Sequence, residues 1–273
     1  MGSIAAESKP PLRIAFIPFQ NPEQLIDNVR PAIVFLERKM AHKITYVITM
    51  NYSAAVEALN ANRADISFMS PLPYVLAHSQ TGAEAILGEI YNGKAYYHSR
   101  IFVRKKSGIK SLADLKGKTI AYVDPISSSG FMYPHDAFVR AGLIKSGLDK
   151  PEGGFFRRVY YAGGDEQAIR AVHGGFVDAA GIGEFALNLL RQEQRDNIIA
   201  IGESIRIPSH VVVARKELDP GLKEKFIAAM LKLSRPKHRQ IVRSLYGTDG
   251  YIRVDHKNYE AVEKMARKYH FLK

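Results

Sequence analysis

The chain contains no cysteine among its 273 residues. That excludes disulfides, thiol nucleophiles and thiolate metal sites. Tryptophan is absent too. No apolar run reaches the roughly 18 residues that a membrane-crossing helix needs. Acidic residues are the minority charge, 27 Asp and Glu against 39 Lys and Arg, which leaves a formal charge of +12. Much of the excess lies in 232–273, with eleven Lys or Arg against four Asp or Glu. A basic surface attracts anions, nucleic acid or acidic lipid. Zinc-finger spacing, RNP-type aromatic motifs and a helix-turn-helix signature are all missing, so no nucleic-acid partner is expected. The basic stretch reads as a solvated helical surface.

What the chain does contain is enough apolar material for real cores, 46% of its residues. Strand-like and helix-like runs alternate along it. Strands are expected at 12–18, 43–49, 65–69, 85–90, 97–105, 119–123, 158–162, 177–182, 197–201 and 210–215. Helices are expected at 23–40 (with Pro31 as a kink or restart), 53–60, 71–79, 130–142, 166–173 and 184–191, and residues from Pro220 onward read as mostly helical. This alternation predicts an α/β protein with mostly parallel sheets. A long strand from Tyr97 and a second change of character near 204–209 suggest two crossings between lobes. The expected organisation is a leader over 1–11, one lobe from 12–95 plus 205–273, and an inserted lobe over 96–204. Two crossing strands make a hinge, so the architecture is a two-lobed clamshell.

One segment is more informative than the rest. Asp124-Pro125-Ile126-Ser127-Ser128-Ser129-Gly130 joins an apolar strand to a helix. The first turn of a helix presents unpaired N–H groups and about half a positive charge. Serines add donors, and glycine lets backbone approach a ligand closely. A single serine would serve as an N-cap; three with a glycine suit a tetrahedral oxyanion. No Gly-Lys-Ser/Thr follows, so this is not a P-loop. In open α/β sheets ligands bind beyond the carboxyl ends of strands. That rule adds Phe19–Gln20, 50–52, Ser70, 163–166 and 183–184 to the candidate positions.

At these residues the chain resembles the substrate-binding proteins of phosphonate, phosphite and phosphate ABC transporters, which are type II periplasmic binding proteins. Five segments carry the resemblance: Leu12 to Pro18, Asn51-Tyr52 to Leu59, Met69-Ser70-Pro71-Leu72-Pro73-Tyr74-Val75, Tyr97 to Val103, and the serine loop with Pro134. The resemblance implies that Ser127, Ser128 and Ser129 hold the phosphorus oxygens, and that Tyr52 and Tyr97 donate from the facing side. Tyr96 is the alternative to Tyr97, because a one-residue slip reverses faces. Ser70 stands where the family has glycine. Two further positions depart from the family pattern. Asp165 stands where a histidine is common, and His210 where an aspartate is common. The two are expected to face each other or one shared ligand, with helix capping by Asp165 and strand packing by His210 as the alternatives. Glu184 falls near carboxylates that hold a ligand ammonium in some relatives; its alternative is to favour the helix dipole.

The resemblance implies a binding protein, not an enzyme, with no cofactor and no metal. Its implied partners are a small oxyanion and an ABC transporter permease, or else a receptor kinase if the protein is a sensor; it is expected to be a monomer. It also implies a periplasmic or extracytoplasmic location, with any signal peptide already removed. An enzyme acting on phosphorylated substrates is disfavoured, because Asp165, Glu166, His98, His135 and His210 do not form a spaced triad or metal motif.

Overall fold

The computed structural model describes residues 9–145 and 154–273. Apart from residues 9–11, the leader expected over 1–11 lies outside the described residues. In chain order the strands are β1 (Leu12–Phe16), β2 (Ile44–Ile48), β3 (Ile66–Met69), β4 (Glu84–Ile90), β5 (Tyr96–Tyr97), β6 (Ser99–Arg104), β7 (Thr119–Tyr122), β8 (Arg158–Tyr161), β9 (Ala179–Gly183), β10 (Ile198–Glu203), β11 (Ile207–Pro208), β12 (Val211–Ala214) and β13 (Gly250–Arg253). The helices are α1 (Pro22–Met40), α2 (Tyr52–Asn60), α3 (Pro71–Thr81), α4 (Tyr133–Arg140), α5 (Asp165–Gly174), α6 (Gln192–Arg195), α7 (Pro220–Leu233), α8 (Arg239–Ser244) and α9 (Glu260–Lys268).

Two mixed sheets organise these elements. The first has the order β13-β4-β12-β3-β1-β2, the second β10-β6-β9-β7-β8. In the first, β1 pairs in parallel with β2 and β3, while β12 runs antiparallel to both β3 and β4. Strands β1 to β4 therefore share one direction, and β12 and β13 oppose them. In the second sheet β7 pairs in parallel with β8 and β9, and only β6 runs against the rest. Burial follows position. The central strands β3, β7, β9 and β12 are buried at every residue, as strands covered on both faces should be. The edge strand β8 is largely exposed.

Local sequence explains the helix starts. Asn21 caps α1, its side chain accepting from the N–H groups of Glu23 and Gln24 at 3.0 and 3.3 Å, with Pro22 at the first helical position. The helix runs unbroken through Pro31. Leu25, Val29, Ala32, Ile33 and Leu36 form its buried stripe, which packs with α7 on one face of the first sheet. A second core cluster reaches from Tyr52, Met69 and Leu72 to Tyr97, Val123 and Ile182, so the two lobes share buried surface.

The chain passes between lobes twice. The two passages pair as a short antiparallel ladder, Tyr97 with Ile207 and Tyr96 with Pro208. This is the two-strand hinge. The single long strand expected from Tyr97 is divided, because β5 pairs across the hinge while β6 joins the second sheet after His98. A further correction falls in the C-terminal part: β13 interrupts the helices there and forms the sheet edge beside β4. Among the described residues no helix is long and apolar enough to cross a membrane.

Candidate functional site

Several helices begin where strands of the two sheets end, and their first turns meet between the lobes. Asn51 caps α2, Ser70 precedes α3, Gly164 precedes α5, and Ser127 caps a π-type turn over Ser128–Met132 that continues into α4. Each brings the positive end of a helix to one region, although at the start of α3 Pro71 and Pro73 carry no N–H and that of Leu72 is bonded to Ser128.

The serine loop lies at the centre, with all three serines buried. Ser127 Oγ accepts from the Gly130 N–H at 3.1 Å, the capping bond. Ser128 Oγ accepts from the Leu72 N–H at 2.7 Å and donates to Ser70 Oγ at 3.3 Å, so it bridges to the start of α3 in the other lobe. Ser129 Oγ accepts from the Tyr97 hydroxyl at 3.2 Å. Asp124, at the head of the loop, accepts from the Tyr52 N–H at 3.3 Å, again across the lobes. A third crossing joins the Asn21 N–H to Glu166 Oε2 at 3.2 Å. The lobes are thus closed on each other.

Tyr52 and Tyr97 are fully buried side chains. Burial drives both phenols well above the ordinary tyrosine value, and the nearby charge of Asp165 adds to the effect. Both therefore remain hydrogen-bond donors. Tyr96 does not join them; Arg206 and Lys94 lie over its ring.

Asp165 also points into this region. Gly164 is the residue before the helix and Asp165 is the first residue within it, so the capping role expected as the alternative for Asp165 is not what forms. Its carboxylate instead accepts from the Gly183 N–H at 3.4 Å. Burial raises its carboxyl to about 6, and the charge of His210 opposes the rise. His210 precedes β12. Its Nε2 lies 3.3 Å from the Tyr97 hydroxyl, and its Nδ1 lies 3.2 Å from the Tyr91 hydroxyl and 3.5 Å from Glu89 Oε2. Asp165 and His210 thus flank the same tyrosine and act on each other electrostatically. The floor between them is bare backbone. A Cβ placed on Gly183 would sit 3.4 Å from Ser129 Oγ, 3.5 Å from Asp165 Oδ1 and 3.6 Å from Tyr97 Cε2.

Glu184 turns away from this cluster. Its carboxylate accepts from the His98 N–H at 3.0 Å and lies 3.4 Å from the Arg100 guanidinium, beside the hinge. The sequence reading missed Glu89. It is a buried acid in a strand whose other acid, Glu84, stands at the half-exposed start, and it is bonded by the hydroxyls of Tyr91 and Tyr251 as well as facing His210. The signal was available: a lone carboxylate among Ala85, Ile86, Leu87 and Ile90 has to find partners. Among the described residues no group of His, Asp and Glu is arranged to hold a metal ion.

The sequence from residue 14 to 259 matches the family described as "ABC transporter, phosphonate, periplasmic substrate-binding protein". The chain belongs to that family. Its members are substrate-binding proteins of transporters, not enzymes. One relative is the phosphate-import protein PhnD of Mycolicibacterium smegmatis, 31% identical over 65% of this chain and 56% of that protein's length. Another is the phosphonates-binding periplasmic protein of Escherichia coli, 24% identical over 88% of this chain and 72% of that protein. Among solved structures, PhnD1 of Prochlorococcus marinus in complex with methylphosphonate superposes with a TM-score of 0.82 at 21% identity, covering 94% of this chain and 97% of that one. That likeness extends the family assignment to the fold, two lobes on a hinge.

Proposed function

We propose that this protein captures a small tetrahedral phosphorus oxyanion between its lobes and delivers it to the permease of an ABC transporter on the extracytoplasmic side. The lobes on this reading are 12–95 with 205–273, and 96–204, and the protein works as a monomer. One observation carries the proposal. The hydroxyls of Ser127, Ser128 and Ser129 lie at a helix start, with Tyr97 bonded to one of them and a second helix start, at Leu72, bonded to another. Neutral donors at helix N-termini hold an anion without importing a countercharge.

The two acids and the histidine bear on which anion. Asp165 is kept substantially more neutral than an ordinary aspartate, which lessens its repulsion of an anion. When ionised it accepts a hydrogen bond, and an oxyanion bearing a P–OH group can supply one. A sulfonate has no such hydrogen. The relatives are named for phosphate and phosphonates, and the Prochlorococcus protein holds methylphosphonate, so the shared chemistry is the phosphorus oxyanion.

Isothermal titration calorimetry with methylphosphonate, phosphite and phosphate, with methanesulfonate as the contrast, tests the reading. At least one phosphorus anion is expected to bind, and methanesulfonate far more weakly. Replacing Ser127 and Ser129 together by alanine removes two donors to a charged group, each worth roughly 1.5–3 kcal/mol. Undiminished affinity in that double variant would reject the site.

A further inference from the structure

A buried carboxylate stands two side chains away from Ser129. Glu89 lies on β4 and His210 just before β12, and the Glu89 N–H donates to the His210 carbonyl at 3.0 Å, so sheet pairing fixes both residues. Three donors gather on the carboxylate. The Tyr91 hydroxyl donates to Oε2, the Tyr251 hydroxyl donates to Oε1 at 3.4 Å, and His210 Nδ1 lies 3.5 Å from Oε2. Ile17, Phe19, Met69 and Tyr246 close off the space beside the pair, which has no room for water. The side chain of Glu89 is 1% exposed and that of His210 15%. The carboxylate is therefore dry and unscreened, while the ring keeps its other edge toward Tyr97 and the serine loop.

Each link in this line has a limited supply of hydrogens. The carboxylate has none. Tyr91 has one and gives it to Glu89, so its oxygen can only accept from His210 Nδ1, 3.2 Å away. Nδ1 therefore carries a hydrogen. Tyr97 also has one, and it lies on Ser129 Oγ. With that hydrogen spent, the 3.3 Å contact between the Tyr97 hydroxyl and His210 Nε2 is a bond only if Nε2 carries a hydrogen too. The line Glu89–His210–Tyr97–Ser129 is thus fully paired when the ring is doubly protonated, and Ser129 keeps its own hydrogen for an acceptor in the cleft. A neutral ring reverses the line. Nε2 then takes the Tyr97 hydrogen, and the Tyr97–Ser129 bond survives only if Ser129 spends its hydrogen there. The donor nearest the ligand is lost.

Other titratable groups surround the ring. Tyr91 and Tyr97 face it directly, Tyr246 borders the same dry space, and Asp165 acts on it from α5. Burial drives the three phenols well above the ordinary tyrosine value, so they keep their hydrogens. Asp165, raised to about 6, is the competing proton acceptor.

We propose that His210 works as an imidazolium when the anion is bound, and that Glu89 is the positioning residue that holds it so, aiming the hydrogens of the line at the ligand. The Glu89–His210 pair then has no net charge, so the serine site gains a directed donor and no excess of positive charge. The proposal rests on the phosphorus-oxyanion reading of the serine site and adds the protonation that this site requires.

Calorimetry with methylphosphonate at pH 6 and pH 8 tests it, on the native chain and on Glu89→Gln. The variant is expected to bind about tenfold more weakly than the native chain at pH 8 and nearly as well at pH 6, where protons are abundant enough to charge the ring without its partner. The ratio of the two proteins cancels titration of the ligand itself. A loss of the same size at both values, or no loss, would make Glu89 merely structural and overturn the proposal. The same pattern should appear in the Asp165→Asn background; its disappearance there would assign the effect to Asp165 instead. Nitrogen NMR of the native complex at pH 8, with the His210 signals assigned through His210→Gln, decides the matter even if Glu89→Gln fails to fold. Both ring nitrogens are expected to be protonated, and a neutral ring overturns the proposal while the oxyanion reading stands. Absence of binding by methylphosphonate, phosphite and phosphate alike would overturn the oxyanion reading itself.

Discussion

Burial lifts the Asp165 carboxyl to about 6, against the partial opposition of His210. Because the folded value lies above the unfolded one, the stabilising contribution of the neutral form is complete below pH ~3.9 and is lost as pH rises through about 6. Above that, the ligand-free protein carries a buried charge at a cost of about 3 kcal/mol. Asp165→Asn retains an oxygen for the Gly183 N–H and cannot ionise. The variant is expected to be more stable than the native chain by up to about 3 kcal/mol near pH 8, with the gain fading toward pH 4. Urea unfolding across that range checks it; a gain independent of pH would contradict the account. At the same scale Tyr96 and Tyr97 differ in placement. Only the second is buried with its hydroxyl on Ser129, while the first lies under Arg206 at the hinge surface.

Two glycines show how elements shape the site, and they make opposite predictions. Gly130 lies inside the π-type turn, and a Cβ there would clash with the Val123 side chain and come within 2.7 Å of Ser127 Oγ. Val123 is branched at the point of contact and fully buried, so it has no room to yield. Gly130→Ala should cost about 1–3 kcal/mol of stability and distort the serine loop. Gly183 ends β9, and a Cβ there meets only ordinary contacts, at 3.4 Å or more, with Ser129, Asp165 and Tyr97. Gly183→Ala should therefore cost less stability than Gly130→Ala, while its methyl narrows the space beside Ser129, Asp165 and Tyr97 where the anion is proposed to sit. Chemical denaturation and anion titration on both variants separate the effects. The expectation fails if Gly183→Ala binds the anion as the native chain does.

Across the whole molecule, closure is built on two sides: Leu72 N–H to Ser128, Tyr52 N–H to Asp124 and Asn21 N–H to Glu166 at the helix starts, and Lys268 and the Tyr269 hydroxyl to Asp136 at the C-terminal helix. The connection is a two-residue ladder at the hinge. An anion held between the lobes would add to these ties and to the shared core, since a ligand that touches both lobes favours the closed form by its differential affinity. Saturation should raise apparent stability by ~2.7 kcal/mol at a hundredfold excess over the dissociation constant. A thermal-shift series with methylphosphonate, phosphite and phosphate measures this, and the rise should vanish in the Ser127→Ala/Ser129→Ala variant. A rise that survives in that variant would place the anion elsewhere.

The sequence by itself determined the local pattern. Alternating runs placed most strands and helices within a few residues of their ends, because periodicity and capping are properties of neighbouring residues. The serine loop was legible for the same reason: its hydroxyls, its glycine and the strand-to-helix change lie within a dozen positions. What only the tertiary structure decided involves partners far apart in the chain. β13 becomes a strand because β4 offers it an edge, a pairing across roughly 160 residues that no local signal encodes. Glu89 is an isolated acid until Tyr91, Tyr251 and His210 gather around it. Glu184 begins a helix as read, but the hinge residues His98 and Arg100 draw its carboxylate away from the serines. Asp165 likewise starts its helix, and its carboxylate is turned from capping toward the cleft by the Gly183 N–H of a neighbouring strand. For β13 the long-range partner set the element itself; for the three acids local propensity set the element, and the long-range partner set the direction of the side chain.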